Sequence, residues 1–241
     1  MPCRLRRALS AISALAAGAV ALATPPAWWL RSHVRREEQF SISELELMAQ
    51  LGVLLMPDHP IEELFRRFEG SGRFRRAGLL PDLVAFGVLK EPEAALFVEY
   101  DGHWSHTRSR GYRKDKEKNA ALLALSPPGS WVIRIGHFNR RPMGGRNSMY
   151  VKVNEWQGDE DQCLTMTLGE VVRRMLSDLR AELDPALHLR LLRHQASNAL
   201  SAKAKEFAAA AARDSRIRAG LPREAETAEG DQKPPRCYSN I

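Results

Sequence analysis

A mixed α/β fold follows from three features of this 241-residue chain. Two apolar runs, "LPDLVAFGVL" (80–89) and "AALFVEYDG" (94–102), are separated only by the turn-like "KEPEA", the pattern of a hairpin. A basic and then apolar stretch, "KDKEKNAALLAL" (114–125), reads as a helix stopped by Pro127-Pro128-Gly129. It delivers the chain to a third strand-like run, "WVIRI" (131–135). Strand, strand, helix, strand predicts a mixed sheet with helices around it, in a core of roughly 100 residues.

The elements can be justified in order. Residues 1–36 form a leader: "MPCRLRR" is basic, "ALSAISALAAGAVALA" is apolar and small, and Ala21-Leu22-Ala23 fits a cleavage site. Residues 8–30 are long enough to meet a membrane. The leader predicts secretory, membrane or organelle targeting. The alternative is an Ala-rich arm on a nuclear or cytoplasmic protein. Its six arginines and lack of acids account for all but one of the +7 net charge, so global charge is silent about the folded part. Cys3, Cys163 and Cys237 have neither zinc-ligand nor disulfide-framework spacing.

"SISELELMAQLG" predicts a helix, with Ser41–Glu44 or Ser43–Glu46 as a capping box and Gly52 as its stop. "IEELFRRF" predicts one or two helical turns. After the third strand, "MYVKVNEW" predicts an edge strand. Thr167 with Glu170 has capping-box spacing ahead of Leu168, Val171, Val172, Met175, Leu176 and Leu179, an apolar face at helical period that must pack on something, most simply the back of the sheet. From residue 213 the composition predicts a disordered tail. The expected division is a leader (1–36), an α/β core (37–157), a helical extension outside that core (158–212) and the tail (213–241).

The chemistry gathers where the second strand ends. In a hairpin the start of one strand lies beside the end of the next, so Asp82 and Glu99 converge. Glu99 and Asp101, two apart, share a face, while Val98 and Tyr100 face the core. Converging carboxylates suit a hard divalent cation, Mg2+ or Mn2+. Such an ion polarises phosphoryl oxygens and acidifies water. Arg108, Arg110, Arg113, Lys114, Lys116 and Lys118 follow directly, and five arginines between 66 and 76 precede, as a phosphate backbone requires. Arg134, an arginine inside an apolar strand, demands a carboxylate partner or an exposed face.

These segments, "PDLVAF", "LFVEYDG" with His106, "KDKEKNAALLAL" and "WVIRIGH", with "SISELEL" before them, resemble the PD-(D/E)xK nuclease superfamily, nearest its very-short-patch-repair-like endonuclease branch. The resemblance spans about residues 41–137. It implies a restriction-endonuclease-like mixed sheet flanked by helices and a metal-dependent endodeoxyribonuclease. Asp82 and Glu99 would be metal ligands, joined by Asp101 and by Glu46 from the first helix. His106 would be the polar group near the attacking water, in competition with His103, and a neutral imidazole could serve there as base. No lysine stands two residues after Glu99, where Asp101 sits; Lys114, Lys116 or Lys118 would have to reach in, and Lys116 is assigned the catalytic role. Arg108, Arg110, Arg113, Lys114, Lys118 and Arg134 would contact DNA. The competing readings are a non-catalytic nuclease-fold module that binds nucleic acid or a protein, and a membrane-targeted structural protein. A buried ammonium within reach of Glu99 favours the enzyme.

Overall fold

The computed structural model describes residues 42–61, 74, 77, 79–102, 106, 108–140, 145–154 and 158–218. The leader, most of "IEELFRRF", the arginines of the 66–76 stretch and His103 lie outside them. The described elements are α1 (Ile42–Leu55), β1 (Leu83–Phe86), β2 (Ala95–Asp101), α2 (Ser109–Ala124), β3 (Trp131–Gly136), β4 (Ser148–Lys152), α3 (Glu160–Asp178), α4 (Pro185–Ser197) and α5 (Ala202–Arg218). They form an α/β protein with one four-stranded mixed sheet in the order β1-β2-β3-β4.

β1 and β2 pair antiparallel, with Leu83 opposite Val98. The register continues past the end of β1 and sets Asp82 against Glu99. β2 and β3 pair parallel through α2, with Glu99 opposite Arg134 and Asp101 opposite Gly136. β4 closes the far edge, parallel to β3. The hairpin connection is longer than "KEPEA" because it has a second task. Leu89 bridges Leu183, Lys90 N–H donates to Glu182 O, and Asp184 N–H donates to Val88 O, tying the hairpin to the α3–α4 turn.

Strand alternation sorts the sheet into two faces. Leu83, Ala85, Leu96, Val98, Ile133 and Ile135 share one buried cluster with α1, α3, α4 and the start of α5. Val84, Ala95, Phe97 and Val132 pack with Leu122 of α2 on the other. The apolar face of 168–179 thus packs on the back of the sheet as its period requires, while the placing of residues 158–212 outside the core is corrected. Leu164, Leu168, Val171, Leu187, Leu191 and Ala204 belong to the same cluster as the strands, because the sheet's second face needs a cover that α1 alone is too short to give.

Three boundaries also differ from expectation. α1 runs through Gly52 to Leu55, and Met56 N–H still donates to Gly52 O. Burial of Leu51 and Leu55 outweighs the weak helix preference of one glycine. Thr167 is not a cap but a buried mid-helix residue; α3 starts at Glu160, where the Asp159 side chain accepts from Gln162 N–H and two acids favour the positive helix end. α5 continues through 213–218, which composition assigned to the tail.

Gly136 shows how tightly β3 is seated. A Cβ there would lie 2.6 Å from the Tyr150 hydroxyl, 3.0 Å from Asp101 O and 3.2 Å from Asp101 Cβ. Gly136→Ala should therefore cost about 1–3 kcal/mol, the range for overpacking, read as a lower urea midpoint with an unchanged slope. An unchanged midpoint would show that the β2–β3 seam has slack.

Candidate metal and phosphate site

Beyond Phe97 the α2-facing side of the sheet turns from apolar to ionic. Glu99 and Asp101 from β2 and Arg134 from β3 are 4 %, 2 % and 1 % exposed. α2 lies over them by helical phase. Asp115, Lys118, Asn119 and Leu122 stand at i, i+3, i+4 and i+7 and so share one stripe. Leu122 anchors the stripe's apolar end, and the three polar residues meet the strands at its other end.

Arg134 is the hub. Its Nε–H donates to Asn119 Oδ1 at 2.9 Å and Nη1 to Asp101 Oδ1 at 2.5 Å. Asp115 Oδ1 lies 3.5 Å from Nη1, and Glu99 Oε2 lies 3.7 Å from Nη2. Burial would favour loss of its proton, but Asp101, Glu99 and Asp115 together hold its pKa above the ordinary arginine value. Removing either side of such a buried set strands the other, which is why these charges occur together.

Around the hub lie two groups. In the first, Asp82 Oδ2 accepts from Tyr100 N–H at 2.7 Å, and its carboxylate faces Glu99. The Lys118 ammonium is 2.5 Å from Glu99 Oε1 and 2.6 Å from Oε2, and it also donates to Leu80 O at 2.8 Å. The lysine thus clamps the Pro81–Asp82 turn to β2. Burial and the negative charge of Glu99 push Asp82 up to about 7 despite Lys118. Among the described residues Asp82 has no ion-pair partner.

In the second group, one ligand atom each from the buried Asp101 and Asp115 and the half-buried His106 lies within 4.8 Å of the others, the spacing of a metal site. His106 Nδ1–H donates to Asp115 Oδ2 at 3.0 Å and lies 3.4 Å from Asp101 Oδ1. Burial would lower the His106 pKa. The Asp115 hydrogen bond and the two acids outweigh it and raise it. The same contact, with Arg134, brings Asp115 below the usual carboxylate range against its own burial. Arg140, from the β3–β4 connection, reaches Asp101 Oδ2 at 2.6 Å and Asp115 Oδ2 at 2.9 Å.

The structure thus brings together Asp82, Glu99, Asp101, His106, Lys118 and Arg134 of the sequence-predicted residues. It corrects three expectations. Glu46 is not in the site. α1 packs on the sheet's opposite face, where burial and then Glu160 raise the Glu46 pKa. Lys116 is exposed, two positions and about 200° around the helix from the site-facing Lys118. Arg134 is enclosed by carboxylates and is not presented to DNA. Arg110 and Arg113 are exposed on the outer side of α2, while Arg108 and Lys114 each engage another group of the fold. Sequence reasoning missed Asp115, Asn119 and Arg140. The first two were detectable as the i−7 and i−3 neighbours of Leu122; Arg140 sits in a loop with no periodicity to expose it.

No family model, curated protein or solved structure matches this chain.

The raised Asp82 pKa makes stability depend on pH. A carboxyl that binds its proton more tightly folded than unfolded stabilises the fold at low pH, and that contribution is lost as pH rises from about 4 to about 7. In EDTA, wild-type and Asp82→Asn should melt together at pH 4, and the variant should melt higher at pH 8. The asparagine oxygen still accepts from Tyr100 N–H but carries no charge against Glu99. Parallel melting curves across this range would show that Asp82 and Glu99 do not oppose each other.

Proposed function

We propose that the protein is a metal-dependent phosphodiesterase acting on DNA, an endonuclease-like enzyme of the restriction-endonuclease-like kind, whose working group is Asp82, Glu99 and Lys118. The observation that carries this reading is the Lys118 ammonium against Glu99 directly beside Asp82. Two strand-end carboxylates and one lysine are the set that the PD-(D/E)xK resemblance calls for, with the lysine supplied by a helix rather than by the position two after Glu99.

The donor set fits the implied ion. Asp82 and Glu99 offer hard oxygens, and their pair is short of positive charge, as the raised Asp82 pKa records. These two residues would hold Mg2+ or Mn2+, which when bound polarises a phosphoryl oxygen and makes water a better nucleophile. The chain's own groups do the rest. Lys118 keeps a positive charge at the pair. Its ammonium has three donors; with Leu80 O and Glu99 as acceptors, one remains for a phosphoryl oxygen or the attacking water. Asp82 is fixed by Tyr100 N–H, so it needs no reorganisation to act. Arg110, Arg113 and Lys116, exposed on the same helix, would draw in the phosphate backbone without reading bases.

The second reading, a non-catalytic module that binds nucleic acid, draws on Asp101 and Asp115. Both already face guanidinium groups, as a scaffold would have them. One incubation separates the two: purified protein with supercoiled plasmid in Mg2+, Mn2+ or EDTA. The enzyme reading expects metal-dependent nicking that Asp82→Asn or Glu99→Gln lowers by about 10²-fold or more, on the scale of losing a catalytic group. Lys118→Gln should lower turnover at saturating DNA. Arg113→Ala and Lys116→Ala should instead weaken binding and make the salt slope shallower by about one unit per lost phosphate contact. DNA binding with no nicking in either metal would give the protein to the second reading.

A further inference from the structure

We propose that Arg140 is the built-in cation of the Asp101–His106–Asp115 group, occupying with a guanidinium the place that the ligand geometry would otherwise offer to a metal ion. This stands apart from whether the chain cleaves DNA, since none of these residues belongs to the Asp82–Glu99–Lys118 set.

The group has the spacing of a metal site. A divalent cation there would have to ligate Asp101 and Asp115 at once, and Arg140 spans the same two side chains. Nη1 is 2.6 Å from Asp101 Oδ2 and Nη2 is 2.9 Å from Asp115 Oδ2. The remaining oxygens are also met: Asp101 Oδ1 by Arg134 at 2.5 Å, and Asp115 Oδ1 by His106 at 3.2 Å. Each carboxylate oxygen therefore has a nitrogen donor, and an entering ion would meet two guanidinium charges at close range.

Arg140 is also held there by groups that do not belong to the acids. Its guanidinium carbon lies 5.4 Å from the Tyr112 ring centre and 5.1 Å from that of Tyr150, within cation–π range of both. The Tyr150 hydroxyl donates to Phe138 O at 2.8 Å, so the strand that supplies one ring also fixes the start of the loop that carries the arginine. Its side chain is 3 % exposed. An arginine gripped by two rings and two carboxylates is a fixed part of the site. It welds α2, through Tyr112 and Asp115, to β2 and β4.

Co2+ serves as the probe, because it is paramagnetic and its visible absorption responds to imidazole ligation. The His106 ring signals are read by NMR in the full chain carrying Asp82→Asn, where no ion beside Glu99 reaches the ring; with Arg140 present, Co2+ should leave them unbroadened. Arg140→Gln, which removes the charge and leaves a shorter polar side chain, should take up one more Co2+ per chain by equilibrium dialysis and broaden His106. Adding Asp115→Asn should abolish the gain, and adding Asp82→Asn should not. Plasmid nicking is scored separately, so failure of this inference and failure of the nuclease reading give different results. Protein with Arg140 in place that already binds Co2+ at His106 would overturn the inference, as would a folded Arg140→Gln that gains none. Should that variant not fold, Arg140→Met decides. It fills the same place without charge, so Co2+ uptake at His106 supports the inference and none overturns it.

Discussion

A guanidinium only 1 % exposed, in the middle of a parallel strand pair, determines most of what surrounds it. Arg134 cannot shed its proton, and an unpaired charge at that depth would cost more than a small domain has to spare. Its acceptors must therefore come from both neighbours: Glu99 and Asp101 from β2, which pairs with β3 in register, and Asp115 and Asn119 from α2, which lies over the seam. The helix is consequently held in rotation at two points, by Leu122 in the apolar pocket and by Asp115 and Asn119 on Arg134. That rotation aims Lys118 at Glu99. The site is in this sense a by-product of solvating one arginine with protein.

The two faces of the sheet divide the work. The face covered by α1, α3, α4 and α5 is apolar and carries the bulk of the core. The α2 face is apolar only in its lower half and ionic above Phe97. Four carboxylates, Asp82, Glu99, Asp101 and Asp115, meet three permanent cations, Lys118, Arg134 and Arg140. The His106 ring is directed at Asp101 and Asp115. Positive charge is thus concentrated on the Asp101–Asp115 side, and the deficit falls at Asp82, whose carboxyl responds by tending to keep its proton. Charge asymmetry within one network thus separates the guanidinium-rich Asp101–Asp115 half from the Asp82–Glu99 half.

Much of this was legible from local rules. Hairpin geometry with period-2 alternation brought Asp82 to Glu99 and put Asp101 on the same face, because antiparallel register is a matter of counting. The three-strand order and the helix stop at Pro127-Pro128-Gly129 were equally local. Contacts made by a residue without a period were not legible. Arg140 comes from a loop, and its partners on β2 and α2 are 39 and 25 residues away. Asp115 stands inside a basic run, and a run of mixed charge usually faces water; here one acid of that run is inward. Glu46 failed for a different reason. A family-like S-x-x-E spacing says that a glutamate is present on α1, but only packing says which face of the sheet α1 covers.

The absence of lysine at position 101 and the presence of Lys118 belong to one constraint. A lysine two residues after Glu99 would project from the same face of β2, where Arg134 Nη1 and Arg140 Nη1 now meet Asp101. It would bring an ammonium against two guanidinium groups and remove the acid that lets Arg134 be buried. With Arg134 in β3, position 101 has to be an acid, and any ammonium serving Glu99 has to arrive from another element. α2 is the element in reach, and only residues in phase with Leu122 point inward. Among Lys114, Lys116 and Lys118, the one four residues before Leu122 meets that condition best, since 3.6 residues make a turn. Position 116, six residues before it, falls on the far side. The identity of the site lysine therefore follows from Arg134 and Leu122 together, one forbidding it on the strand and the other setting the helix that supplies it.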